Sequence, residues 1–340
     1  MRPLPFLGGA DVSFLDEQEA QAVVFRDGAG RPRDFLSLAR DLGWNVIRLR
    51  LWNAPAGGYC DMAHTLAMAR RIRAAGLRLL LDFHYSDHWA DPGKQTKPAA
   101  WRDLGFDDLC TAVYDYTREA VEACRPDVVQ VGNEITSGML WDDGRVGGPF
   151  DTDAQWARFA RLLSAGTAGV RDAAPGAGIM IHIDRGGDNR ASGWFFDHLC
   201  AHPEVPFDLI GQSFYPWWHG TLDQLSSNLA DISSRYGRDV VVVETGYPRT
   251  LEDADGAGNF VSAESQLHPG FPATPEGQAA FLRALMDVVS AVPQARGKGV
   301  LYWEPAYFSR PGLRRSPCDN LTLFDDAGRP LPAAGELAPR

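Results

Sequence analysis

Apolar residues along this chain gather into eight short runs, separated by segments with a different period. The runs are "GADVSFL" (9–15), "NVIRLRLW" (45–52), "RLLLDFHY" (78–85), "DVVQVGNE" (127–134), "GIMIHID" (178–184), "FDLIGQSFYP" (207–216), "DVVVVETGYP" (239–248) and "GVLYWEP" (299–305). Several are almost unbroken rather than alternating, as in parallel strands covered on the outside by helices. Between them, apolar positions recur every three or four residues in "DFLSLARDLGW", "MAHTLAMARRIRAAG", "DAQWARFARLLSAGTAGVRDA" and "TPEGQAAFLRALMDVVSAV". That period predicts amphipathic helices, with Gly76 as a C-cap. A doubly wound sheet would need a glycine-rich phosphate turn after the first strand, and "GADVSFLDEQEA" is not one. Strand-then-helix units repeated eight times without a Ser/Gly-rich linker predict one α/β domain, a (β/α)8 TIM barrel with long βα loops. The barrel proper spans about residues 9–325. Its eighth helix is the faintest, with only "PAAGELA" after residue 305.

Polar residues concentrate where these strands end. The ends carry Asp11 and Ser13, Arg48 and Arg50, Asp82 and His84, and Asn133 and Glu134. They continue with His182 and Asp184, Tyr215, Glu244, then Trp303 and Glu304. In a barrel the C-terminal strand ends and their loops converge on one rim, where reactive groups collect. A glutamate closing a Val-rich run costs several kcal/mol if buried without solvent, partner or proton, so packing does not account for Glu134. Strands four and seven lie on opposed parts of the ring, which sets Glu134 and Glu244 across its mouth. Two such carboxylates suit retaining glycoside hydrolysis, one attacking the anomeric carbon and the other protonating the leaving oxygen. Asn133 would then hold the sugar 2-hydroxyl. The alternative is a pair of structural carboxylates bridged to Arg48 or Arg50.

Composition narrows the partner. With 340 residues, 45% hydrophobic and 23% charged, the chain is ordinary for a globular protein. A net charge of −11 argues against nucleic acid or an anionic membrane, and no apolar run reaches the ~20 residues of a membrane span. A neutral partner is compatible, and 10 Trp and 9 Tyr, many in loops, suit one with apolar faces. Cys60, Cys110, Cys124, Cys200 and Cys318 form an odd set without metal-ligand spacing, and the middle three read as small buried hydrophobes in helices. The start, "MRPLPFLGGADVSFL", shows no signal-peptide pattern.

Longer blocks sharpen the reading. "VIRLRLWNAPAGGY", "LLLDFHYSDHWADPGKQTKPAAW", "VQVGNEITSGMLWDDG", "GQSFYPWWHGTLDQL", "VVVETGYP" and "LYWEPAYF" closely resemble glycoside hydrolase family 53, the endo-β-1,4-galactanases, from about Gly9 to Asp325. The resemblance implies Glu134 as general acid/base and Glu244 as nucleophile of a retaining endo-hydrolase of β-1,4-galactan, the galactose side chains of pectin. It places Arg48, His84, Asn133, Tyr215 and Trp303 around the sugar at the cleavage point, with Asp82 and Trp89 in the substrate-binding set. Arg48 and Tyr215 would donate to Glu244 and keep it ionised, Glu134 would arrive protonated, and Trp303 would floor the sugar ring. Trp89, Trp141, Trp217 and Trp218 would line flanking subsites. Asp91 either binds sugar hydroxyls or caps the turn before Pro92. The family likeness also implies secretion, while the absence of a visible leader leaves a cytoplasmic location open. A monomer is expected.

A further expectation concerns one structural Ca²⁺. "TLEDADGAGNFVS" places Asp253, Asp255 and Asn259 round a glycine turn. The family likeness adds Ser316 and Asp319 of "RRSPCDN" and a backbone carbonyl at Ala257, where a histidine often stands. Two rivals remain: a barrel glycosidase acting on another β-1,4-linked glycan such as mannan, or an exo-β-galactosidase. A metal-dependent hydrolase using His84, Asp87 and His88 lacks the helix that would align its ligands. A catalytically dead sugar-binding barrel would need a hidden defect, since both glutamates are present.

Overall fold

In the computed structural model, which describes residues 4–307 and 315–339, the strands are β1 (Leu7–Asp11), β2 (Val46–Leu51), β3 (Arg78–Phe83) and β4 (Val128–Val131). They continue as β5 (Gly178–Ile183), β6 (Leu209–Phe214), β7 (Asp239–Thr245) and β8 (Gly297–Trp303). All pair in parallel and close in the order β1-β8-β7-β6-β5-β4-β3-β2, the expected (β/α)8 barrel. Side chains alternate across a strand, so every second residue enters the barrel. At its N-terminal end the interior is apolar, a cluster of Leu7, Val46, Leu80, Val128, Met180, Leu209, Val241, Val243 and Leu301. Two residues further on, the positions on the same strands are Arg48, Asp82, Gln130, His182 and Gly211. The interior thus changes from oil to a polar network along the axis.

The opposite faces of the strands pack against the helices in a second, larger core that includes Ile47, Leu49, Leu81, Val129, Ile181 and Val242. The helices Met62–Ala74, Asp153–Ala173 and Pro275–Ser290 occupy the predicted segments. Gly76 follows the first of these with φ +76°, the left-handed stop expected of it. "PAAGELA" forms the short helix Pro332–Glu336, fastened where Trp44 Nε1 donates to Ala334 O at 2.8 Å.

Two sequence expectations are corrected. The first strand is Leu7–Asp11 rather than 9–15, and Val12 to Phe14 turn into the helix Leu15–Ala20. Gly8 and Gly9 lie inside the strand because nothing larger fits: a Cβ on Gly9 would sit 1.9 Å from Val46 O. Of the three helical cysteines, Cys124 is buried, Cys110 is half-buried and Cys200 is exposed at the end of the helix Asn189–Cys200. All five cysteines are unpaired.

Candidate active site

A cleft of about 750 Å³ opens at the C-terminal rim, lined among others by Arg48, Asn133, Glu134, Tyr215, Glu244 and Trp303. Glu134 follows β4 in the left-handed region, φ +47°. Its carboxyl lines the cleft, and Oε1 accepts from Ser213 Oγ at 2.6 Å.

Arg48 organises the floor. It is 1% exposed; Nη1 reaches Glu244 Oε1 at 2.7 Å and Asp11 Oδ2 at 3.1 Å. Its Nη2 donates to Asp82 Oδ2 and Asn133 Oδ1, both at 2.9 Å. Tyr215 Oη donates to Glu244 Oε2 at 3.3 Å. The expected donors to Glu244 are therefore in place. Burial raises the Glu244 carboxyl, and the Arg48 guanidinium pulls it back down. Glu134 is raised well above the usual carboxylate range, first by burial, then by the charges of Glu244 and Asp184, with only the Ser213 hydroxyl and Arg48 opposing. Both buried carboxyls stand above the usual carboxylate range, and Glu134, which lacks the close guanidinium that Glu244 has, is the one pushed further toward holding a proton.

Other expected residues divide into contact and support. Asn133 Nδ2 donates to Ala90 O at 2.9 Å, which leaves its second N–H for a sugar hydroxyl. Trp303 and Trp89 lie with ring centroids 5.8 Å apart on the cleft wall. Trp217 contributes a buried, unpartnered Nε1. Exposed Trp218 meets Phe260 edge-on at 5.2 Å at the lip. Asp91 Oδ1 accepts from Gly93 N at 2.9 Å, the turn-capping role, and Oδ2 is left to the cleft that Asp91 lines.

Asp82 is among the residues lining the cleft, and its carboxylate is engaged within the protein. It is fully buried, and its oxygens take Arg48, His84 Nε2 (3.1 Å) and Gln130 Nε2 (2.5 Å). His84 likewise has both nitrogens engaged, since Nδ1 accepts from Ala90 N at 3.0 Å; burial holds its pKa below the usual imidazole value. Trp141 lies outside the main cleft, in an adjoining depression that shares Pro92 and Arg185 with it. One of its faces is covered by Arg145 at 4.2 Å.

Sequence reading left Gln130, His182 and Ser213 without roles. Their signal was the period of two: each lies on the strand face that carries the site.

Away from the chemistry, Asp253, Asp255 and Asp319 bring carboxylate oxygens within 4.8 Å of one another, the only such His/Cys/Asp/Glu group among the described residues. His84, Asp87 and His88 form no comparable group. Asn259 Oδ1 and Asp319 Oδ1 are buried without a hydrogen-bond partner. Ser316 joins them through its backbone, N donating to Asp255 Oδ2 at 2.7 Å. Ala257 N donates to Asp255 Oδ1 at 2.7 Å. Such an all-oxygen set with orphaned acceptors fits a hard cation.

The family model described as glycosyl hydrolase family 53 matches residues 7–336. The chain belongs to this family. As a family 53 member it is 48% identical, over 98% of its length and 93% of the relative's, to an uncharacterized protein in the bgaB 5′ region of Niallia circulans. It is 34% identical, over 95% of its length and 96% of the relative's, to an arabinogalactan endo-β-1,4-galactanase of Thermothelomyces thermophilus. A solved family 53 catalytic domain from Ignisphaera aggregans superposes with a TM-score of 0.92 at 35% identity, covering 98% of this chain and 96% of that one.

Proposed function

We propose that this family 53 hydrolase cleaves internal β-1,4 bonds of galactan, the galactose side chains of pectin, by a retaining double displacement. The observation that carries the reading is the unequal setting of two glutamates on one cleft. Glu244 is held by Arg48 and Tyr215, so it attacks the anomeric carbon as a carboxylate. Glu134, buried and facing that charge, keeps the proton that the leaving oxygen needs, and afterwards takes one from water. Asn133 offers an N–H to the 2-hydroxyl, and Trp303 an aromatic face to the ring. The relatives named as arabinogalactan endo-β-1,4-galactanases support the sugar and the endo mode. A single Ca²⁺ held by Asp253, Asp255, Asn259, Ser316, Asp319 and the Ala257 carbonyl would be structural, bridging the loops after β7 and β8.

Product analysis on linear galactan tests the reading. Early release of mixed galacto-oligosaccharides whose new reducing ends appear first as the β-anomer is expected. Galactose as the sole early product would make the enzyme exo-acting. Initial α-anomers would remove the double displacement, and preferential turnover of mannan would move the substrate.

A further inference from the structure

Behind Glu134 stands a buried chain of hydrogen bonds that the displacement mechanism does not itself require. Ser213 Oγ lies 2.6 Å from Glu134 Oε1, and His182 Nε2 lies 2.9 Å from Ser213 Oγ. Both Ser213 and His182 are fully buried. They come from adjacent strands: His182 pairs with Gly211, and Ser213 sits two residues further along β6, in register with Glu244.

The direction of the chain follows from the other imidazole nitrogen. Burial, then the charges of Arg48, His84 and His219, hold His182 well below the usual imidazole pKa, so the ring is neutral and carries one N–H. Its Nδ1 faces the backbone N–H of Glu134 at 3.3 Å and Gln130 Nε2 at 3.1 Å. Asn133 Oδ1 lies 3.0 Å from Nδ1, but this oxygen already accepts from Arg48 Nη2. A proton on Nδ1 would take that oxygen and strand the Glu134 N–H. With Nδ1 as acceptor, Nε2–H donates to Ser213 Oγ, and the Ser213 hydroxyl has Glu134 Oε1 as its acceptor.

We propose that Ser213, oriented by His182, is a positioning pair for the acid/base: it occupies Oε1 of Glu134 as a donor and so confines the transferable proton to Oε2. The inference rests on Glu134 being the acid/base. A carboxyl with one oxygen already accepting from Ser213 presents its proton from the other, and does not spend it on an internal bond that must break before transfer. No net proton enters or leaves the Ser213–His182 pair. The charged and titratable groups facing the carboxyl are Glu244 from β7, Asp184 after β5, Arg48 from β2 and the Tyr215 hydroxyl after β6. Arg185 in turn compensates Asp184 at 2.7 Å.

The test is the pH dependence of kcat/KM for Ser213→Ala, Ser213→Thr, His182→Gln and His182→Leu, on galactan and on a 2,4-dinitrophenyl β-galactobioside whose leaving group needs no proton. Ser213→Ala removes a donor to the ionised form, so the alkaline limb should move up by about one pH unit. Its loss on galactan should exceed that on the activated glycoside at least tenfold. Ser213→Thr restores the hydroxyl and should restore the limb. His182→Gln keeps an N–H for Ser213 and should fall near wild type, whereas His182→Leu should follow Ser213→Ala. An unmoved limb in Ser213→Ala, or equal losses on both substrates, overturns the pair; this holds whether or not the His182 variants fold. Glu134→Gln separates the two readings. If the alkaline limb persists in Glu134→Gln, the limb does not belong to Glu134, and the acid/base assignment fails along with the pair.

Discussion

At the scale of single residues, the site depends on giving two like side chains unlike surroundings. Glu134→Gln keeps the shape of the carboxyl and removes its proton, so hydrolysis of galactan should fall roughly 10²–10⁴-fold. An aryl galactoside with a good leaving group should lose far less, and parallel kinetics on the two substrates check this. Equal losses would take general-acid work away from Glu134. Glu244→Ala vacates the place of the nucleophile beside Arg48 and Tyr215. Hydrolysis should disappear, and azide should restore turnover with a glycosyl azide of inverted configuration, identified by proton NMR. Substantial activity without azide would exclude Glu244 as nucleophile. What could be read here from sequence was set by strand ends: Glu134, Glu244, Asn133 and Tyr215 are polar where an apolar run stops. Asp82 and Gln130 were harder to place, because a polar residue inside the barrel looks the same in sequence whether it touches ligand or props a neighbour. In the fold, the Asp82 carboxylate is engaged by Arg48, His84 and Gln130.

At the scale of elements, the helices were legible where an apolar stripe was long, as in Asp153–Ala173, and the strands where β-branched residues ran together. β1 ends four residues before the predicted run does and starts two residues before it, since glycine in a sequence suggests a break. At Gly9 it marks instead a backbone approach too close for any side chain. The same logic gives a prediction between helices. Gly169 lies in Asp153–Ala173, where an added Cβ would stand 2.7 Å from Tyr114 O and 3.1 Å from Arg118 N of the helix Phe106–Cys124. Helix propensity favours Gly→Ala by roughly 1 kcal/mol. The obstacle is backbone that cannot swing aside, so overpacking of about 1–3 kcal/mol should win. Gly169→Ala is therefore expected to lower the urea midpoint. Gly335→Ala, in the helix Pro332–Glu336 with nothing within 4 Å of the new methyl, should not. A raised midpoint for Gly169→Ala would show that the two helices separate at little cost.

At the scale of the whole molecule, the question is what holds the longest loops over an open rim in a protein of net charge −11. The segments after β7 and β8 are joined by neutral bonds, Phe260 N to Pro317 O and Arg249 N to Asn320 O, both 2.9 Å, and Asn320 Nδ2 to Thr250 O and Val261 O, both 2.9 Å. Charged contacts cross as well: Ser316 N to Asp255 Oδ2 at 2.7 Å, Ala254 N to Asp319 Oδ2 at 3.1 Å, and Arg249 to Asp326 at 2.7 Å. Against these stand three carboxylates within 4.8 Å. Asp319 is raised by burial and then by the charges of Asp255 and Asp253, the sign of groups that resist being ionised together. A divalent cation would reverse that repulsion and fill the orphaned oxygens of Asn259 and Asp319. Because it would bind the folded chain alone, stability should rise with its concentration, by about 2.7 kcal/mol at one hundred times the Kd. Calorimetry in excess Ca²⁺ should therefore give a higher melting temperature than in EDTA, while turnover well below either transition changes little. Asp319→Ala should abolish the difference and leave turnover in place, since Asp319 lies outside the residues lining the catalytic cleft. A melting temperature identical in Ca²⁺ and EDTA, with no calcium by metal analysis, would leave the three aspartates as an acidic turn without a metal and assign the stitching of the loops to the hydrogen bonds and the Arg249–Asp326 pair.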